Sequence, residues 1–255
     1  LYEAFDAAPP GFGHIPLILN ADGSKMSKRD QGASIQEYQD EGYLPEAVVN
    51  YMALLGWSPK GDEEVFPPKA LKEHFHLEEV NRANARFDLA KCEWLSGQYL
   101  ANLDASALRQ GFRPFFEAKH LPEACDLPDE AMLEIRDKVR TFSQAPEVVD
   151  YLFRDNFEFD AQVMEKISAN DKAPELLTAL ATTFAGLTKW DGPTAFAAIP
   201  EAAAAVGVKK GALMFPFRVA LSGRGGGLGL VTILGQLGQE KTIARLKSLQ
   251  EKLAS

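Results

Sequence analysis

The sequence is short of cysteine, histidine and long apolar runs, and each shortage narrows what the chain can be. Its two cysteines, Cys92 and Cys125, stand far apart with no CxxC and no Cys/His cluster near them. A zinc site and a disulfide framework therefore lack support, and a reducing compartment is expected. Among the four histidines, His74 and His76 are two apart but have no third ligand and read as surface residues. No stretch approaches the ~18 apolar residues of a membrane span, and no basic-then-apolar leader opens the chain. The expectation is a soluble, cytoplasmic protein without a bound metal. What is present is the composition of ordinary folded domains, 46% apolar and 25% charged over 255 residues, a length that predicts two domains or three small ones.

Positive charge is scarce overall and unevenly placed. The net charge is −9, yet residues 201–255 carry eight Lys/Arg against three acids, which leaves −14 on residues 1–200. Two readings follow: a solvated charged surface, or a basic patch through which an acidic protein meets a polyanion. The chain opens on Leu1, and Leu1–Phe5 has the pattern of an amphipathic interior, so a longer parent polypeptide is expected.

Along the chain, His14–Leu19 reads as a strand and Asn20-Ala21-Asp22-Gly23 as a turn. A mobile basic loop follows, closed by a capping box at Ser34-Ile35-Gln36-Glu37 that opens a short helix ending at Gly42. Pro45 starts the next helix, which Gly56 ends; Lys69–Phe75 and Lys91–Leu100 read as two more. Beyond Leu100 the pattern is helical: 105–119, 129–141, 145–152, 161–168, 174–187, 193–206, and 228–253 with a break at Gly238. The expected fold is mainly α, a small α+β domain over residues 1–100 followed by two all-α helical bundles, 101–168 and 169–255.

The strongest local signal is Lys25-Met26-Ser27-Lys28-Arg29, three cations in five positions with Gly23 and Gly32 on either side. Such a loop suits a polyphosphate, because compact lysine ammoniums can follow negative charge as it shifts in a phosphoryl or nucleotidyl transfer. A basic pentapeptide by itself is more often a solvated loop. The segment resembles the KMSKS-type signature of class I aminoacyl-tRNA synthetases in its KMSKR form. The flanking runs His14–Arg29, Gly42–Tyr51 and Leu54–Ser58 resemble the bacterial glutamyl-tRNA synthetase family, as do Phe87-Asp88 with Lys91 and Trp94-Leu95, and Phe217–Gly223. About Leu103 to Gly207 the likeness is chiefly helical character.

That resemblance implies the C-terminal portion of a glutamate–tRNA ligase, without the preceding Rossmann domain and its HIGH-type signature; His14-Ile15-Pro16-Leu17 is not that motif. It implies a stem-contact domain over 1–100 and anticodon-binding domains over 101–168 and 169–255. Lys25 and Lys28 would be the catalytic contacts to ATP, which arrives with Mg2+, and Met26, Ser27 and Arg29 would complete the ATP-binding loop. Arg29 is left with two partners, a phosphate or an acid of its own loop such as Asp30. The partners implied are tRNA(Glu), with ATP and glutamate in the parent, and the chain is expected to be a monomer, inactive by itself. Arg218 resembles the arginine that reads the third anticodon base in some members, with a structural ion pair as the plain alternative. Phe217 and Arg224 are further candidates for tRNA contact.

Two other features invite sharper readings. The run Gly223–Gly229 resembles a phosphate-cradling loop but lacks a following Lys-Ser/Thr and a preceding strand, so a flexible connection is preferred. Trp190 and Phe215 suit base stacking only if they escape the core, where aromatics at helical spacing usually sit. The rival reading is a non-catalytic helical RNA-binding or scaffold protein with an incidental basic loop.

Overall fold

In the computed structural model, residues 1–254 are described, and they group into two compact units that divide between Tyr99 and Leu100. The chain is mostly helical with one two-stranded parallel sheet. In the first unit, β1 (Ile18–Leu19) pairs with β2 (Ala85–Arg86), and four helices surround them: α1 (Ile35–Asp40), α2 (Pro45–Gly56), α3 (Pro68–His74) and α4 (Leu89–Leu100). The strand is shorter than His14–Leu19, because Pro16 has no N–H and Leu17 N–H donates to the Asn84 side chain instead of a ladder. Residues Glu3–Phe5 form a single 3-10 turn, and Leu1 and Phe5 are exposed, so this segment buries no apolar face within the unit.

The core of the first unit gathers Tyr38, Val48, Tyr51, Cys92 and Leu95, with Trp57, Phe66 and Leu71 in a second cluster. Burial raises the Cys92 thiol to about 12, so it is an inert packing residue. Buried Asn50 joins three segments: it donates to Glu64 C=O and accepts from Phe66 N–H and the Tyr99 hydroxyl.

The second unit contains α5 (Ala105–Ala118), α6 (Asp129–Arg136), α7 (Ala145–Phe153), α8 (Ala161–Ser168), α9 (Ala173–Ala185), α10 (Gly192–Ala197), α11 (Ile199–Ala205), α12 (Lys210–Ser222) and α13 (Leu230–Ala254). α5 packs on α6 and α7 and buries Leu108, Phe112 and Phe116. α9 is the centre of the remainder, packed against α11, α12 and α13 with Leu176, Leu177, Leu180 and Phe184 inside.

Three helices depart from the sequence expectation. The 193–206 helix divides because Pro200 cannot donate to a continuous ladder, and it becomes the first turn of α11. The 129–141 helix stops at Arg136. α12 was not anticipated, since Pro216 lies inside it; its ring is buried and the helix carries on to Gly223, whose φ of 69° supplies the left-handed stop. The expected break at Gly238 is present, with φ 73° and ψ 171° inside α13.

Candidate functional site

The basic loop is tied to β1 and to itself by hydrogen bonds. After β1 the chain turns back on itself: Gly23 N–H donates to Asn20 C=O, Asn20 N–H to Ser24 C=O, and Met26 N–H to Ile18 C=O. Lys25 thereby forms an antiparallel bridge with Leu19, so β1 has the loop on one edge and β2 on the other. Two carboxylates hold the turn. Asp22 accepts from the Ser24 hydroxyl at 2.7 Å and the Ser24 N–H at 2.9 Å, and both bonds hold its carboxyl below the usual range. Asp30 accepts from the Asn20 amide at 2.9 Å and the Ser27 N–H at 2.7 Å, and these lower its pKa likewise. Ser27 Oγ in turn accepts from Arg29 N–H.

With both carboxylates engaged inside the loop, the cations are left over. Lys25, Lys28 and Arg29 are exposed, and none has a salt-bridge partner among the described residues. Of the two partners open to Arg29, Asp30 is therefore not used. Met26 is half-buried and Ser27 exposed. At the far end Gly32, at φ 81°, lies so close to Phe87 that an added Cβ would stand 2.2 Å from the ring. Its N–H donates to Glu37 and its carbonyl accepts from Tyr38, which ties the loop to α1. Sequence reading missed Asn20 and Asp30 as the clasp; the Asn-x-Asp-Gly-Ser pattern was a signal for it. Arg86, which donates to Ala21 C=O from β2, carried no such signal.

In the second unit Arg218 is half-buried, with Nη1 donating to Leu228 C=O at 2.7 Å. Its ionic partner in the plain alternative is not found among the described residues. Arg224 is bound to α7, pairing with Asp150 at 3.0 Å and donating to Glu147 C=O. Beside it a cavity of about 770 Å³ is lined by Lys138, Gln144, Asp150, Tyr151 and Gly227. Phe217 is fully buried with its ring 5.4 Å from that of Phe184, so base stacking by this ring is corrected to core packing beneath Arg218. Trp190 also serves the core, donating from Nε1 to Leu234 C=O and standing edge-on to Phe184.

The glycine run is an anchored connection. Gly229 N–H, at the start of α13, donates to Glu134 at 2.6 Å, and the Thr232 hydroxyl donates to the same carboxylate at 2.7 Å. The protein's own carboxylate occupies the place an anion would take in a phosphate cradle. His74 and His76 are exposed, and no group of three or more His, Cys, Asp or Glu is placed to hold a metal ion among the described residues. No helix among them is long and apolar enough to cross a membrane.

Comparison with known proteins agrees with this division. Residues 104–249 match the family model of the anticodon binding domain, and residues 1–94 that of the class I tRNA synthetase (E and Q) catalytic domain. The glutamate–tRNA ligase of Akkermansia muciniphila is 43% identical over 248 residues, 97% of this chain and 56% of that protein. That of Moorella thermoacetica is 36% identical over 252 residues, 96% of this chain and 51% of that protein. A crystal structure of a glutamate tRNA ligase from Elizabethkingia meningosepticum, in complex with its amino acid, superposes with a TM-score of 0.80 at 27% identity, covering 99% of this chain and 53% of the other. The chain spans about half the length of the curated relatives it matches. On these matches the chain belongs to the anticodon-binding-domain family and is a homologue of the glutamate–tRNA ligases.

Proposed function

We propose that this chain is the tRNA-reading half of a glutamate–tRNA ligase and supplies the loop that grips ATP. The carrying observation is the clasped loop, whose carboxylates accept from Asn20, Ser24 and Ser27 and which leaves Lys25, Lys28 and Arg29 without ionic partners. In the parent enzyme Lys25 and Lys28 contact the phosphates of Mg2+-bound ATP as glutamate attacks to form the adenylate. The charge that builds on the departing pyrophosphate is then met by ammoniums held in advance. Ser27, Met26 and Arg29 shape the grip. The acyl group then passes to the terminal ribose of tRNA(Glu). Residues 1–100 form the stem-contact domain, and 101–168 and 169–255 the two anticodon-binding domains, with Arg218 reading a base and Arg224 beside it. The chain acts in the cytoplasm as a monomer and does not catalyse the reaction by itself, since it spans about half the length of the ligases it matches.

Competitive binding of tRNA(Glu) and tRNA(Gln) transcripts to this chain tests the reading. Preference for tRNA(Glu) is expected, and Arg218→Gln should lower it by about 1–3 kcal/mol, as for a single base contact. Loss of the charge-assisted bond to Leu228 C=O should cost about 1.5–3 kcal/mol of stability, which a melting curve reads separately from the tRNA preference. Equal binding of both transcripts by the unmodified chain overturns the proposal in favour of a general RNA-binding scaffold.

A further inference from the structure

On the second unit, a cavity of about 420 Å³ that neither Arg218 nor Arg224 lines opens between the segment after α7 and the second half of α13. Three cations line it, Lys241, Arg245 and Lys252, against one carboxylate, Asp155, which is itself exposed and 3.3 Å from Lys241. Arg245 sets the character of the place. It is only 7% exposed, and its hydrogen bonds go to main-chain carbonyls, of Leu221 at the end of α12 and of Tyr151 and Arg154 at the end of α7. Two helix C-termini offset part of its charge. No carboxylate among the described residues hydrogen-bonds it, and the counter-charge that acts on it, the exposed Asp155, is shared with Lys241, so a buried positive charge lies next to an open space with its charge only partly offset.

The aromatic walls decide what kind of anion fits. The Arg245 guanidinium lies 4.6 Å from the centre of the Phe157 ring, and Lys252 stands 5.0 Å over that of Phe159. Phe157 is further held against Gly223, where a Cβ would come within 3.1 Å of the ring. The rings are committed to the cations and to the backbone and serve as apolar walls, which suits a phosphate and its sugar better than a stacked base.

We propose that this groove binds a backbone phosphate of an RNA strand, a contact separate from the Arg218–Arg224 face; it rests on the tRNA-binding reading given above. A free nucleotide offers the same chemistry, so the test has an arm for each source. The isotope-labelled chain is titrated with a tRNA(Glu) transcript and, separately, with AMP, following backbone amide resonances by NMR. The transcript is expected to shift Lys241, Ala244, Ser248 and Lys252 saturably. The double variant Lys241→Gln, Lys252→Gln, both exposed residues, should keep the native circular dichroism spectrum, bind the transcript several-fold more weakly at low salt, and shallow the log–log salt slope by roughly 0.7, one phosphate's share. Shifts at the groove with AMP and none with the transcript overturn the RNA assignment and give the phosphate site to a free nucleotide. If the transcript moves Arg218 and Arg224 while the groove stays still with both probes, the groove proposal fails and the tRNA reading stands. If the transcript moves nothing, the tRNA reading fails, and the AMP arm alone decides whether a phosphate site exists.

Discussion

Asp30 does for the basic loop what a capping residue does for a helix, accepting from the Asn20 amide and the Ser27 N–H across a three-residue turn. Both bonds favour the ionised carboxylate and hold its pKa below the ordinary value, Asn20 contributing most. The clasp is therefore intact above the unfolded carboxylate pKa, roughly 3.9, and is lost as pH falls through the lower native value. Asp30→Ala should lower the protection of the Ser27 amide, its exchange measured against the intrinsic rate, at pH 7, and acidification of the unmodified chain should lower that protection only below about pH 4. Unchanged Ser27 exchange in the variant would show that the backbone turn holds itself. In the full-length parent, Lys28→Ala should slow adenylate formation by about 3 kcal/mol of transition-state stabilisation while tRNA affinity changes little. Rapid-kinetic activation assays beside tRNA binding separate the two, and equal losses would remove Lys28 from the chemistry. That Lys25 through Arg29 form a cation-rich loop between β1 and α1 was legible from residue type and spacing. Their release from ionic partners was not, because it depends on which donors Asp22 and Asp30 meet once the chain has turned back on β1.

At the level of elements, the capped start of α1 was legible in the sequence, while the end of α6 and the junctions between helices were not. Ser34 caps α1 as its motif implies, accepting from Gln36 N–H. The matching Glu37 reaches past Ser34 to Gly32 N–H, since Gly32 at φ 81° presents its own donor. The junction between α6 and α13 had no local signal at all. Glu134, 95 residues away in sequence, caps the start of α13 through Gly229 and Thr232. Charge-assisted caps of this kind contribute about 1–3 kcal/mol, so Glu134→Ala should lower the melting temperature of the chain by several degrees while Glu134→Gln recovers part of it. Thermal unfolding followed by far-ultraviolet circular dichroism checks this; equal melting of all three proteins would reduce Glu134 to a surface acid. Pro216 shows the opposite failure: a residue that usually ends helices sits buried in α12, because the packing of Leu213, Phe217 and Leu221 outweighs one missing N–H.

For the whole molecule, charge placement outweighs charge total. The net charge of −9 opposes RNA on average, yet eight of the cations lie after residue 200 and three more in the basic loop. The chain should bind tRNA(Glu) with a steep salt dependence, each neutralised phosphate adding roughly −0.7 to −0.9 to the slope of log K against log salt. A slope near zero in a salt titration would mean that the acidic body governs association. Period-3.6 patterning, prolines and glycines determined by themselves that the chain is mainly helical, that it changes character near Leu100 and that α13 breaks at Gly238, because these depend on residues within a few positions of one another. The position of the basic loop, between a strand and a short helix, also came from the sequence, as turn and capping residues in a short run. Tertiary structure alone decided which of the candidate residues face solvent. Phe217 lost its place to the core against Phe184, Arg224 was engaged by Asp150, and Arg245 was buried beside an open groove. Those outcomes turn on contacts between residues tens of positions apart, where burial and pairing depend on which helices pack together and no local pattern records the partner.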